Sequence, residues 1–371
     1  MPFRSFFWGG FESATHRRRD GCRVDAVASS RHDVCLEQDY ALLGTAGVRT
    51  VRDALRWHLI EPVPGEYDWS TFVTMLQAAH RSGIQVIWDL CHWGVPDWVD
   101  PFSAEFPLQF QRFAEGAITV LRDFYREQGV AEAPVVCPIN EISFWSWVGG
   151  DEAYFFPFGR GQGNALKHQL VCAANAAIRG MRRICPELRV LQPEPIIHIV
   201  PDAATGGDGE AERHTASQHD AWEMLLGRRS PELGGSEEHL DFIGVNYYWN
   251  NQWVHHGAHT PPGDARHRPL HAMLLEIWQR YRRPIVITET SAEGDAGPGW
   301  FGYVMAEVRQ AERMGVPIQG VCLYPVMDYA GWDDDRHCAV GLIELSPDKQ
   351  DRWLRGAMLQ ELEAQQRVRA L

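Results

Sequence analysis

Short runs of apolar residues, many of them β-branched or aromatic, recur along the chain, and apolar positions return every three or four residues in the longer stretches between them. The runs are Phe6–Gly9, Thr50–Ala54, Gln85–Leu90, Pro134–Asn140, Arg189–Gln192, Phe242–Tyr247, Ile285–Thr288 and Gln319–Tyr324, and each is predicted as a strand. The longer stretches carry helix signals. Ser70 can cap a helix with Phe72, Leu76 and Ala79 on its apolar face, ending at Gly83. Asn164 precedes Leu166, Leu170, Ala174, Ala177, Met181 and Ile184, a helical period that stops at Pro186. Phe301, Val304, Met305, Val308 and Ala311 repeat the pattern up to Gly315. Continuous apolar runs suit strands buried on both faces, and parallel strands need helical crossovers of this length. The alternation predicts an α/β fold, a single (β/α)8 TIM barrel formed by residues 1–371 as one domain. An open doubly wound sheet is the alternative, but no G-x-G-x-x-G follows the first run.

Barrel enzymes assemble their sites at the C-terminal ends of the strands. The residues at those ends are His16 just past the first run, Arg52, His92-Trp93, Asn140-Glu141, Asn246-Tyr247-Tyr248, Glu289 and Tyr324. Two runs end in glutamate, Pro138-Ile139-Asn140-Glu141 and Ile287-Thr288-Glu289-Thr290. On neighbouring parts of one rim they could aim two carboxylic acids at one substrate, the equipment for cleaving a glycosidic bond. The 15 tryptophans suit the C–H faces of sugar rings, although tryptophan also fills cores.

Composition narrows the partners. A net charge of −14 argues against nucleic acid or an anionic membrane surface. Arg17-Arg18-Arg19 reads as a solvated loop. No apolar run reaches the roughly 20 residues of a membrane span, and the first ten residues lack the apolar core of a secretory signal, so a cytoplasmic location is expected. The eight cysteines form no C-x-x-C pair and read as buried free thiols. His255, His256, His259, His267 and His271 match no zinc spacing, so no metal is expected. Pro201 to Glu212, rich in Gly, Asp and Ala, reads as a mobile rim loop. Nothing in the pattern indicates an oligomeric state.

Several segments, taken in order, resemble glycoside hydrolase family 1, the β-glucosidase-like enzymes of the (β/α)8 retaining clan. Phe7-Trp8-Gly9 is similar to the opening F-x-W-G strand, and Arg52 falls at the strand-2 arginine. Cys91-His92-Trp93-Gly94-Val95-Pro96 resembles Y-H-W-D-x-P, and Ile139-Asn140-Glu141-Ile142 the N-E-P acid/base motif. His168-Gln169-Leu170 is similar to the H-N-L helix, Asp241 to Tyr248 to D-F-x-G-x-N-Y-Y, and Ile287-Thr288-Glu289-Thr290 to the I-T-E-N nucleophile motif. Asp328 to Trp332 with Gly341-Leu342-Ile343 resembles the closing D-N-F-E-W…F-G-L region.

The resemblance implies Glu289 as nucleophile and Glu141 as general acid and base. It implies that Arg52 and Tyr248 attend Glu289, that Asn140 bonds the sugar 2-hydroxyl, that His16 and His92 bind further hydroxyls, with Trp93 beside them, and that Trp332 stacks on the ring. Neither metal nor cofactor is needed. The chain departs from the family at sugar-reading positions: His16 replaces a glutamine, Tyr324 a platform tryptophan, Ile142 a proline, and Gly331 the glutamate that grips distal hydroxyls. The implied activity is a retaining exo-β-glycosidase acting on a carbohydrate or glycoside, with glucose not the preferred sugar. A transglycosylase using the same two glutamates and a non-catalytic sugar-binding barrel are the alternatives. Glu61, Asp151 and Glu152 are other acids that could replace the contact absent at Gly331.

Overall fold

A computed structural model of the chain describes residues 2–202 and 209–370. Eight strands, β1 Phe7–Gly10, β2 Thr50–Ala54, β3 Gln85–Asp89, β4 Val135–Cys137, β5 Arg189–Pro195, β6 Phe242–Asn246, β7 Ile285–Thr290 and β8 Ile318–Leu323, close into a barrel. Each pairs in parallel with its neighbours in chain order, and β8 returns to β1. Between and after them run α1 His32–Thr45, α2 Ser70–Arg81, α3 Phe106–Gln128, α4 Gly163–Ile184, α5 Asp220–Leu225, α6 Leu270–Tyr281, α7 Ala296–Arg313 and α8 Gly356–Ala370. The expected (β/α)8 TIM barrel is the observed fold.

Apolar side chains fill two zones. One lies between strands and helices, where the periodic faces of α2, α4 and α7 are buried. The other is the barrel lumen, filled by Trp8, Ile87, Val135, Leu191, Val286 and Cys322. Phe3 packs on Trp8 and Phe242 there, with ring centroids 4.5 and 5.2 Å apart. Gly320 makes room for the indole, because a Cβ at that position would sit 2.6 Å from Trp8 Nε1. Each fully buried large apolar side chain contributes about 1.5–3 kcal/mol. The lower lumen is therefore a packed plug, and polar groups collect above it.

Several expectations change in detail. Ser70 is the first helical residue rather than the cap, and its N–H donates to Asp68 Oδ1 (2.9 Å). β4 stops at Cys137, three residues before its predicted end, because Pro138 has no N–H to continue the ladder. β5 runs on through Pro193 to Pro195, three residues past its expected end at Gln192. β4 pairs only with Arg189 and Val190, so those prolines lie where β5 has lost that neighbour. Of the Pro201–Glu212 loop, residues 203–208 lie outside the described residues, and a helix starts at Glu210. The eight cysteines are free, but Cys22 is exposed and Cys35 and Cys172 are half-buried rather than buried. The arginine run is docked, not solvated: Arg17 stacks over Phe156 (3.8 Å) and Arg18 pairs with Asp335 (3.1 Å). No helix among the described residues is long and apolar enough to cross a membrane.

Candidate active site

The polar groups above the plug converge on Arg52, the third residue of β2, which is fully buried. Its guanidinium donates to four partners. Nε and Nη2 grip Asp89 at the end of β3 (3.2 and 2.5 Å), Nη2 reaches Asn140 Oδ1 (2.9 Å), and Nη1 bonds Thr288 O (3.1 Å) and Glu289 Oε1 (2.9 Å). Burial works against the Arg52 charge, but Asp89 and Glu289 outweigh it and raise its pKa well above the ordinary value. Burial likewise opposes the Asp89 carboxylate, and Arg52 and His92 reverse this, holding Asp89 below its ordinary value. A planar fork of donors is the side chain that can tie three strands together in this way.

Glu289 sits at an irregularity in the sheet. Val245 lies opposite Ile287, but the next residue, Asn246, lies opposite Glu289 instead of Thr288. Such bulges re-aim side chains beside functional sites. The Glu289 carboxylate accepts from Arg52 on Oε1 and from the Tyr248 hydroxyl on Oε2 (2.9 Å). Burial and the Glu289 charge push the Tyr248 phenol well above its ordinary pKa, which keeps it a donor.

Glu141 is equally buried but differently held. Its backbone is left-handed (φ 44°, ψ 63°), a conformation that costs a residue with a side chain about 1–3 kcal/mol and persists only where its surroundings enforce it. Asn246 Nδ2 donates to Glu141 Oε1 (2.7 Å), while Asn246 Oδ1 accepts from Thr288 Oγ1 (2.6 Å), so one amide joins both glutamate-bearing segments. Burial first, then the charge of Glu289 and that of Glu194, push the Glu141 carboxyl well above the ordinary range; Asn246 and Arg52 act the other way. Glu194, on β5, takes up the N–H groups that follow Glu141: Ile142 N (2.9 Å) and Ser143 N (3.0 Å), with Gln192 Nε2 as a third donor (3.0 Å). Burial raises Glu194 to about 7 against those donors.

Around this pair, His92 is fixed between Asn140 Nδ2 at Nε2 (3.1 Å) and Asp89 at Nδ1 (3.3 Å), which fits a ring with its proton on Nδ1. Trp93 is also left-handed (φ 64°) and donates from Nε1 to Asn140 O (3.0 Å). Trp332 meets Trp93 edge-on at 5.1 Å. His16 is completely buried and stacks on Phe155 at 3.6 Å; burial, then His92 and nearby arginines, lower it to about 3, so it is neutral. Tyr324 lies across Gly10, with Arg52 5.0 Å from its ring centre and its hydroxyl 3.4 Å from His92 Nδ1. An open cleft of about 550 Å³, lined by none of these residues, lies at the start of α7 between Trp249, Pro262, Glu293, Trp300 and Tyr303.

A family model for glycoside hydrolase 42, described as β-galactosidase, matches residues 29–120. Similar solved structures include a hyperthermophilic β-glucosidase mutant (16% identity, TM-score 0.76, covering 96% of this chain and 98% of that one). The family 1 β-glucosidase of Thermotoga maritima shares 15% identity at a TM-score of 0.75, with 97% of each chain covered. The β-glycosidase of Thermosphaera aggregans shares 14% at 0.78, over 98% of this chain and 96% of that one. At these identities the likeness establishes the barrel. No curated protein sequence matches the chain.

The fold thus brings Arg52, His92, Trp93, Asn140, Glu141, Tyr248, Glu289 and Tyr324 together, with His16 and Trp332 on the aromatic side. Sequence reasoning missed Asp89 and Glu194 as site residues and placed Asn246 at a strand end without giving it a role. Asn246 was legible within the D-F-I-G-V-N-Y-Y segment, where it ends β6; Glu194 was hidden between two prolines. Glu61 accepts from Trp57 Nε1 (2.7 Å) and Gly65 N (2.8 Å), and Asp151 from Gly163 N (2.6 Å), so both serve local structure. Of the histidine-rich stretch, His267 bonds Thr260 O (2.6 Å) and His271 bonds Glu307 (2.8 Å). His255 and His256 meet Glu210 with their donor atoms within 4.8 Å of one another, a juxtaposition of potential metal ligands that linear spacing could not show.

Proposed function

We propose that the chain, as one catalytic domain, is a retaining β-glycosidase that cleaves a β-linked sugar by double displacement, with Glu289 as nucleophile and Glu141 as acid/base. The carrying observation is the unlike setting of two neighbouring carboxyl groups. Glu289 accepts from a guanidinium and a phenol, as an attacking carboxylate must be held. Glu141 has its pKa raised by burial and by Glu289, as a general acid must. The β-glucosidase and β-glycosidase neighbours and the β-galactosidase family model add weight to a β-glycoside as substrate.

In the first step Glu141 protonates the glycosidic oxygen while a Glu289 oxygen bonds the anomeric carbon, expelling the aglycone as an alcohol. The negative charge on Glu289 is then lost to the ester, one source of the raised Glu141 pKa disappears, and Glu141 takes a proton from the water that cleaves the ester. Asn140, oriented by Arg52 and His92, is positioned for the 2-hydroxyl.

Two measurements test this. NMR of the first-formed anomer from an aryl β-glycoside should show retention, whereas an inverted first product would end the double-displacement scheme. Glu289→Gly should lose about 10⁴-fold or more of turnover and recover with azide as a glycosyl azide of inverted configuration. Unchanged turnover in that variant would remove Glu289 from its role.

A further inference from the structure

The segment after β1 crosses the mouth of the site. Phe11 N donates to Arg52 O (3.0 Å) and Thr15 N to His92 O (3.3 Å), so both ends of the segment are pinned to backbone that carries site residues. Phe11 stacks on His32 at 3.6 Å on the far side, and a Cβ on Gly94 would collide with Thr15, which shows how closely the segment lies on the loop after β3. Glu12, inside this segment, is only 5% exposed. Its Oε1 accepts from Ser13 N and Ala14 N (3.0 Å each), which fixes the carboxylate plane. Oε2 has no protein partner among the described residues. His92 and Glu289 both act on the Glu12 carboxyl, and its charge helps raise the Tyr324 and Tyr329 phenols, so it lies near the reacting pair and near the segment that leads to Gly331.

Two further groups nearby lack protein partners. Both ring nitrogens of His16 and the Trp332 Nε1 are buried without a hydrogen bond, and the two rings meet edge-on at 6.4 Å. Buried polar atoms are ordinarily satisfied, and groups left unmade beside a site are those a ligand completes. An acceptor, a neutral imidazole and an indole N–H together match the alternating donors and acceptors of sugar hydroxyls. The acids that could otherwise serve are engaged or remote: Glu61 and Asp151 hold backbone and indole N–H groups, and Glu152 is exposed. A side chain at position 331 would have to displace Asp334, whose Oδ1 lies 2.8 Å from where its Cβ would be.

We propose that Glu12 is a specificity-determining residue of the sugar site, its Oε2 accepting hydrogen bonds from the hydroxyls remote from the cleaved bond, the contact that Gly331 cannot make. The proposal rests on the glycosidase reading above. Burial raises the Glu12 carboxyl, opposed by His92 and the two backbone donors, and a hydroxyl donating to Oε2 relieves that burial. The substrate class is a β-pyranoside whose C4 or C6 hydroxyl reaches the loop after β1 rather than the loop after β8.

The test is a comparison of substrates as well as variants. Wild type and Glu12→Gln are assayed on the best 4-nitrophenyl β-glycoside of a sugar panel and on its 4-deoxy and 6-deoxy counterparts. The expected result is a fall in kcat/KM of about 10- to 100-fold on the parent glycoside. On the analogue lacking the gripped hydroxyl the fall should shrink to less than about threefold, with thermal midpoints unchanged. An equal fall on all three substrates, or no fall on the parent, overturns the proposal. Failure of the underlying reading looks different: wild type and Glu289→Gly then process every glycoside alike. In that case calorimetric affinities of the parent and deoxy monosaccharides for wild type and Glu12→Gln decide, and equal losses on all of them overturn the Glu12 assignment.

Discussion

Arg52 and Asp53 are consecutive on β2, both charged and both buried, yet the pleat sends them to opposite faces and into different networks. Arg52 faces the lumen and ties β2 to Asp89, Asn140 and Glu289. Asp53 faces outward to α1, where it accepts from Tyr40 (2.6 Å) and pairs with His32 (2.9 Å); His32 in turn pairs with Asp39 (2.7 Å), which meets Arg352 (2.6 Å). The outer cluster is sealed from solvent: the side chains of His32, Asp39, Asp53 and Arg352 are fully buried, and Asp39 Oδ1 and Arg352 Nε, which make no aligned hydrogen bond, still meet as an ion pair. The inner cluster instead ends at two carboxyl groups, Glu141 and Glu289, that keep a little surface (7% and 5%). A buried ionic network can therefore be mortar or machinery, and the difference lies in whether its last members can be reached from outside.

The comparison breaks most visibly at Arg52. Arg52→Lys replaces a fork with one point charge and should lower kcat/KM about 10³-fold, measured with any accepted aryl glycoside. A loss below tenfold would make Arg52 a structural ion-pair residue like its neighbour. Asp53→Asn should do the reverse. It leaves His32 and Tyr40 short of their partner and should cost about 3 kcal/mol in denaturant unfolding, with kcat/KM within about threefold of wild type.

The outer cluster also has a pH signature. Burial disfavours charged His32, but Asp53 and Asp39 outweigh it and raise the ring to about 9. With the folded pKa above the unfolded one, the stabilisation is complete below the unfolded value near 6.5 and is lost as pH rises through about 9, on the order of 3 kcal/mol in all. Burial raises the Asp39 carboxyl as well, against its contacts with His32 and Arg352. Thermal unfolding at pH 7 and pH 10, in wild type and His32→Gln, reads it; an equal alkaline decline in both would assign the loss elsewhere.

The smallest effect sharpens the inner cluster. Glu194→Gln keeps one acceptor for Ile142 and Ser143 but removes a charge facing Glu141. The other charges facing Glu141 are Glu289 and Arg52, with the Tyr248 phenol alongside, and the variant leaves them in place. Turnover should fall about tenfold with KM little changed, and the alkaline limb of the pH profile should move to lower pH, because the acid/base loses one of the charges that hold its proton. An unmoved alkaline limb would leave Glu194 only a local prop.

The barrel was legible because its cause is local. Eight buried parallel strands must be apolar throughout and their crossovers must be amphipathic, and both patterns are written residue by residue. The boundaries that slipped, at β4 and β5, are those where proline's effect depends on whether a neighbouring strand is present. The two strand-end glutamates, Arg52, His92 and Asn140 were visible for the same local reason. Glu12 and Glu194 were not. Glu12 in the sequence is an ordinary loop acid, and Glu194 sits in a proline-flanked stretch; only the pinning of the β1 segment across Arg52 and His92, and the early end of β4, bring them to the pair.

By itself, then, the amino-acid order determined the strand and helix alternation and the presence of two rim carboxyl groups. Tertiary structure decided how their settings differ, which acids serve the site and which hold backbone, and which polar atoms are left open. Those properties depend on burial, charge and hydrogen-bond partners from distant segments, and no linear spacing carries them.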